Sequence, residues 1–421
     1  MNQINSITSS YAPPFKIVAK YFITAIFSFV LLNLLMLINY DSFSGFHFKP
    51  IILALTHIAT LGWITMIIFG ALFQLIPVVL EVKLHSEKLA EIQFWIFTIG
   101  IIGFVYSFFD FGSSKIMISS AVILNIAMLL FSYNSIATLL RVKKWNLTGY
   151  YLSAAIFYFF VTAIAGLLLA INLFHPYIKA NHLNYLNLHV HLAFIGWVSM
   201  VIMGVSFKLI PMFTLSHGYS LKSGWWAFIL INAGLLGLST VMHYQNTGVL
   251  FYLFSILIAA GIYIFLYQIS LIFKKRLRKK FDVGIKFSVT SYIVLAIVTL
   301  LGLIISIIDY NNVTNLTLIY GSLIVFGFVS FLIVGQMYKI VPFLVWYHKY
   351  SSKVGLEKVP LLKEMFNEKY AYIGFYLMLT ALIGIISSLT FNISALVFVS
   401  FTIMFLSSII FLFNMITIFK K

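Results

Sequence analysis

Long apolar stretches dominate this chain. A helix that crosses a bilayer needs about 20 mostly apolar residues. Twelve segments meet that requirement, roughly 20–38, 51–80, 91–109, 116–140, 150–173, 188–213, 223–242, 248–273, 287–308, 317–345, 370–389 and 393–419. The run YFITAIFSFVLLNLLML, starting at Tyr21, does not alternate. That excludes the short alternating strands of an outer-membrane barrel. The expected fold is therefore all-α, a polytopic membrane protein with twelve transmembrane helices. The second, sixth and tenth segments are long enough to predict tilt or an extension at one end. The N-terminus lacks a basic region followed by a short apolar run and small-residue site, so the first segment is expected to be a span.

Composition sharpens this reading. Of 421 residues, 62% are apolar and 9% charged, and the mean hydropathy is +1.05. A soluble domain carries about 25% charged residues. There is no cysteine, which removes disulfides, thiolate metal sites, iron–sulfur clusters and covalent heme attachment.

The net charge of +17 would point to nucleic acid in a soluble protein. Here its distribution follows topology. Only Lys49, Lys115 and Lys179 fall in the odd loops, against twenty-four basic residues at the termini or beside the even loops. The bias predicts cytoplasmic N- and C-termini in a bacterial-type inner membrane, with no nucleic-acid partner. The densest run, Lys274 to Lys280, is a topology determinant and could bind anionic headgroups.

A segment of 24 residues recurs three times, from Thr56, Val190 and Gly321. The first two copies share eleven identities, and the second and third share eight. Gly62, Gly196 and Gly327 correspond, as do Gly70, Gly204 and Gly335, and Pro77, Pro211 and Pro342. The chain reads as three four-helix units, approximately 15–145, 146–282 and 283–421, in a single membrane domain. The glycines predict close helix approach. The prolines predict a kink or a stop. Lys208 and Lys339 are expected to anchor at the headgroups.

The histidines carry the candidate chemistry. His57 and His191 occupy the same repeat position, a few residues inside their helices; the third copy has Ser322 there. An ionisable side chain at that depth marks a functional site. Neutral imidazole ligates b-type heme and copper. Trp63 and Trp197 follow six residues later and could line a flat cofactor or pack against neighbouring helices. His189 lies about 200° from His191 round the helix, facing the stretch that holds His175 and His182, with His243 at the same end. A copper site drawn from these imidazoles is the second candidate. Acidic residues are almost absent from the spans. Asp110 and Asp309 lie at their ends, so no buried carboxylate relay is visible.

Twelve spans in three arcs, with His57-x4-Gly62-Trp63 and His189-x-His191-x4-Gly196-Trp197, resemble the catalytic subunit of the heme–copper oxygen and nitric oxide reductases. The resemblance implies that His57 is an axial ligand of heme b and that His191, or His189, binds copper or non-heme iron. It also implies quinol or an electron-donor subunit as partner, within a larger membrane complex. The tenth helix departs from the family pattern: it has no histidine, where the family carries a pair. No catalytic tyrosine or glutamate beside the metal is identified. The expected function is a divergent heme-binding membrane protein of respiration or nitric oxide metabolism, with copper as a second cofactor. A small-solute or ion transporter and a cofactor-free accessory subunit are the alternatives. A transporter usually breaks its helices near the midplane, whereas the repeat prolines lie near one end.

Overall fold

The computed structural model describes residues 11–179, 181–245, 248–307 and 315–421. Asp309 lies outside the described residues.

Twelve helices among the described residues are long and apolar enough to cross a membrane. They are α1 (Phe15–Ile38), α2 (Pro50–Val79), α3 (Glu87–Phe109), α4 (Ser114–Leu139), α5 (Leu147–Phe174) and α6 (His182–Thr214). The rest are α7 (Lys222–His243), α8 (Val249–Lys274), α9 (Val283–Ile307), α10 (Leu316–Lys353), α11 (Glu368–Phe391) and α12 (Ser394–Lys420). The chain is an all-α, multi-pass membrane protein. With no water in the hydrocarbon layer, helices of this kind satisfy their backbone groups internally.

Helix starts follow local chemistry. Ser86, Ser113, Asn146 and Asn367 each accept a backbone N–H of the following first turn through their side chains. Pro50 opens α2 at a position that needs no N–H donor. The long spans are α2, α6 and α10, as the apolar pattern predicts, with 30, 33 and 38 residues.

Each long span contains a π-helical stretch: Ile58–Thr65, Leu192–Ser199 and Leu323–Ser330. All three fall at positions three to ten of the repeated segment. Pro77, Pro211 and Pro342 stand inside helices; the first two lie within a turn of the helix end, while α10 continues well past Pro342.

The chain groups into two compact units. One comprises residues 1–20 and 68–279, the other residues 21–67 and 280–421. In the first, the repeat glycines let α6 lie against α5. A methyl added at Gly196 would stand 2.5 Å from Tyr158 Cγ, and one at Gly204 would stand 2.7 Å from Tyr151 Cβ. Trp197 packs on Phe159, with ring centroids 4.4 Å apart, beside Phe131 and Phe69.

The second unit repeats the device. Gly62 abuts Ser28, Gly327 abuts Val294, and a methyl at Gly335 would stand 2.6 Å from the Gly284 carbonyl oxygen. Trp63 stacks on Phe29 at 4.5 Å and donates its indole N–H to Ser330 Oγ at 3.0 Å. Lys339, expected at the headgroups, pairs with Asp282 at the start of α9, at 2.6 Å. Asp282 also accepts the Ile285 N–H, so the ion pair fixes the start of α9.

Candidate functional site

His57 and His191 sit at the last turn of α-helix before their π-helical stretches. Both rings are half-buried. His57 Nδ1 lies 2.7 Å from the Leu53 carbonyl, and His191 Nδ1 lies 2.8 Å from the Asn187 carbonyl. A carbonyl only accepts, so Nδ1 carries the proton in each ring. In the neutral imidazole this leaves the lone pair on Nε2. Histidines that ligate metals commonly hold this tautomer, with the other nitrogen donating to a backbone carbonyl or carboxylate. The two residues thus share repeat position, backbone context and tautomer. The i−4 carbonyl is present for any histidine inside a helix, so this partner was available to sequence reasoning.

The third copy differs. Ser322 is buried at the matching position and opens no imidazole chemistry. Tyr320, two residues earlier, brings its hydroxyl against Gly302 of α9.

His182 has the opposite tautomer. Asn172 Oδ1 accepts the backbone N–H groups of Tyr177 and Ile178, at 3.0 and 2.8 Å. That fixes the orientation of the amide, whose Nδ2 then donates to His182 Nδ1 at 3.0 Å. In the neutral ring the proton is on Nε2, and the remaining lone pair is used by Asn172. Nothing in the sequence marks Asn172 as the organiser of this loop.

The other outer-end histidines are placed separately. His175 ends α5, its N–H on the Ile171 carbonyl. The His189 ring lies over Gly166 of α5, its Cε1 3.1 Å from where a methyl there would stand. His243 ends α7 with its ring near Tyr185 and Tyr244. Among the described residues no three histidine, aspartate or glutamate side chains form a group able to hold a metal ion. The copper set expected from His175, His182, His189, His191 and His243 is therefore not assembled. The physical reason is local: His182 is held by Asn172, and His189 and His191 project from one helix about 200° apart.

Of the two roles open to Trp63 and Trp197, lining a cofactor or packing against neighbouring helices, the packing contacts are the ones this structure displays. Trp63 is fully buried with its N–H on Ser330, and Trp197 sits in the Phe69, Phe131 and Phe159 cluster. Ser330 carries no signal in the sequence beyond its repeat position, which Thr65 and Ser199 share.

No protein-family model matches this chain, and no curated protein matches it. The fold and the two histidines define the class: a multi-pass, all-α membrane protein with one position-matched imidazole in each of two repeats.

Proposed function

We propose that this protein binds heme b, with His57 in one unit and His191 in the other each a candidate axial ligand, and serves membrane electron transfer in respiration or nitric oxide metabolism, as a divergent heme–copper oxidase-like protein. The observation that carries the reading is the shared tautomer of the two histidines, each with Nδ1 donating to its own helix and Nε2 bearing the lone pair. That donor chemistry fits heme iron, which takes one imidazole on an axial face. When bound, heme supplies one-electron redox chemistry.

The chain's own residues do the positioning. Leu53 and Asn187 fix the ring orientation through their carbonyls, and the hydrogen bond raises the basicity of Nε2. Copper has no comparable support. A stable copper site draws on several imidazoles or thiolates, the chain has no cysteine, and the outer-end histidines are dispersed. Quinol or a donor subunit remains the electron source in this reading. Both termini face the cytoplasm of a bacterial-type inner membrane, on the strength of the lysine and arginine bias.

The test is a reduced-minus-oxidised absorption spectrum of the detergent-purified protein, with iron and copper quantified on the same sample. A stoichiometric heme signal without stoichiometric copper, diminished in His57→Ala and in His191→Ala, is the expected result. A colourless, metal-free protein after expression with added heme would overturn the reading.

A further inference from the structure

The loop from α8 to α9 opens with Lys274-Lys275-Arg276-Leu277-Arg278-Lys279, and the structure holds it in a defined shape. Arg276 forms an antiparallel bridge with Ser216, and the Arg278 N–H donates to the Thr214 carbonyl at 3.2 Å. Thr214 and Ser216 are themselves joined through their hydroxyls at 2.7 Å. Lower in α8, Gln268 donates to the Ser220 carbonyl at 2.8 Å and accepts the Gly224 N–H. The basic segment is thus laid along the turn that leads into α7, rather than hanging as a free tail.

Most of its side chains face outward, while Arg276 turns back to donate to the Phe273 carbonyl. Lys274, Lys275 and Lys279 are exposed, as is Lys222 at the start of α7. Leu277, in the middle of the basic run, is 61% exposed. Tyr267 is 56% exposed and lies seven residues before Lys274, two helical turns away on the same face. Trp225 and Trp226 in the first turn of α7 are exposed by 38% and 61%. Exposed tyrosine and tryptophan at the end of an apolar helix mark the bilayer interface. The segments 215–221 and 274–281 contain no acidic residue. Asp282, the first acid after the run, is engaged by Lys339.

We propose that this edge of the 68–279 unit is a binding site for anionic phospholipid. Lys274, Lys275 and Lys279 take the phosphodiester headgroup, while Leu277, Trp225 and Trp226 enter the interface beside its acyl chains. A topology determinant needs only the charge. The fixed backbone, the outward leucine and the adjacent tryptophan pair are features that charge alone leaves unexplained. Each lysine near an anionic surface contributes about fivefold in affinity.

The native tryptophans allow a direct test on the full-length protein in mixed micelles. Brominated phosphatidylglycerol and brominated phosphatidylcholine are compared as quenchers of tryptophan fluorescence. Wild type should be quenched at lower mole fraction by the brominated phosphatidylglycerol. The variant K274Q/K275Q/K279Q should lose that preference, with at least about a tenfold shift in the half-quenching mole fraction. Should the triple variant fail to fold, salt gives a second reading on wild type. Raising salt from about 0.1 M to 1 M shortens the Debye length from about 10 Å to 3 Å and should remove the preference. Equal quenching by the two lipids, or a preference that survives both the triple substitution and high salt, overturns the proposal.

Discussion

The indole N–H of Trp63 donates to Ser330 Oγ at 3.0 Å, joining the eighth position of the first repeat to the tenth position of the third. Both groups are buried and both lie in π-helical stretches. Such stretches are rare and gather at functional sites. Here one side-chain bond ties two of them together. Ser330→Ala should cost about 1 kcal/mol of stability, the typical net worth of a hydrogen bond, and Trp63→Phe more, because it also leaves a cavity where the fully buried indole stood. Because both remove the same bond, the double variant should cost less than the sum of the two single losses. Denaturant titration in detergent reads this; fully additive losses would show that the two groups act independently.

The repeat glycines differ in what surrounds them, and the differences give a graded series. Gly335→Ala would drive a methyl to 2.6 Å from a backbone carbonyl oxygen, and Gly196→Ala to 2.5 Å from the Tyr158 ring. Overpacking of this kind costs about 1–3 kcal/mol. Gly321 has nothing within 4 Å of an added methyl, so Gly321→Ala should be neutral or gain up to about 1 kcal/mol from helix propensity. Thermal denaturation of the three variants should rank Gly321→Ala the most stable. Equal losses at all three would contradict close packing at the other two.

The histidines of the outer-end loop should be silent in cofactor binding. His175→Ala, His182→Ala and His243→Ala are expected to leave heme content unchanged. Asn172→Ala removes the acceptor of two backbone N–H groups and should loosen the loop. Hydrogen exchange at Tyr177 and Ile178 should rise by about tenfold or more, as expected when a bond worth about 1.4 kcal/mol is lost. Protection that is unchanged in Asn172→Ala would refute that role.

His47 lies between α1 and α2, outside both spans. Burial holds its imidazole below the ordinary value of 6.5. Its folded-state value being the lower one, the unfolded chain binds the extra proton first. The neutral ring's contribution is full above pH 6.5, declines as pH falls below it, and levels off under the folded value. His47→Gln should flatten that part of the stability–pH curve. An NMR titration of His47 centred above 6.5 would reverse the sign and contradict the burial.

Much of the fold was legible in the apolar pattern. The twelve spans, the greater length of α2, α6 and α10, and the packing role of Gly62, Gly196 and Gly327 all follow from run length and repeat spacing. The π-helical stretches did not. In segments such as LIVFGFVS nearly every residue is apolar, so a change of helical period leaves no contrast in the pattern. The site was legible in part. Repeat alignment paired His57 with His191, and the i−4 carbonyl follows from helix geometry. The fate of His182 could not be read, because it depends on Asn172, whose amide is aimed by a turn formed five and six residues later. The partner of Lys339 could not be read for a similar reason: Asp282 lies 57 residues earlier, and only the fold brings them together.

Heme ligation by His57 and His191 is the proposal on which the rest depends. The most direct measurement is a titration of hemin into protein purified without heme, followed at the Soret band. The expected result is a sharp endpoint at a fixed ratio of heme to chain, lost in the His57→Ala/His191→Ala double variant and kept in His175→Ala. A gradual, non-saturating rise that is the same in wild type and the double variant would mean heme partitions into detergent. That result would overturn heme ligation by His57 and His191 and favour transport or partner binding.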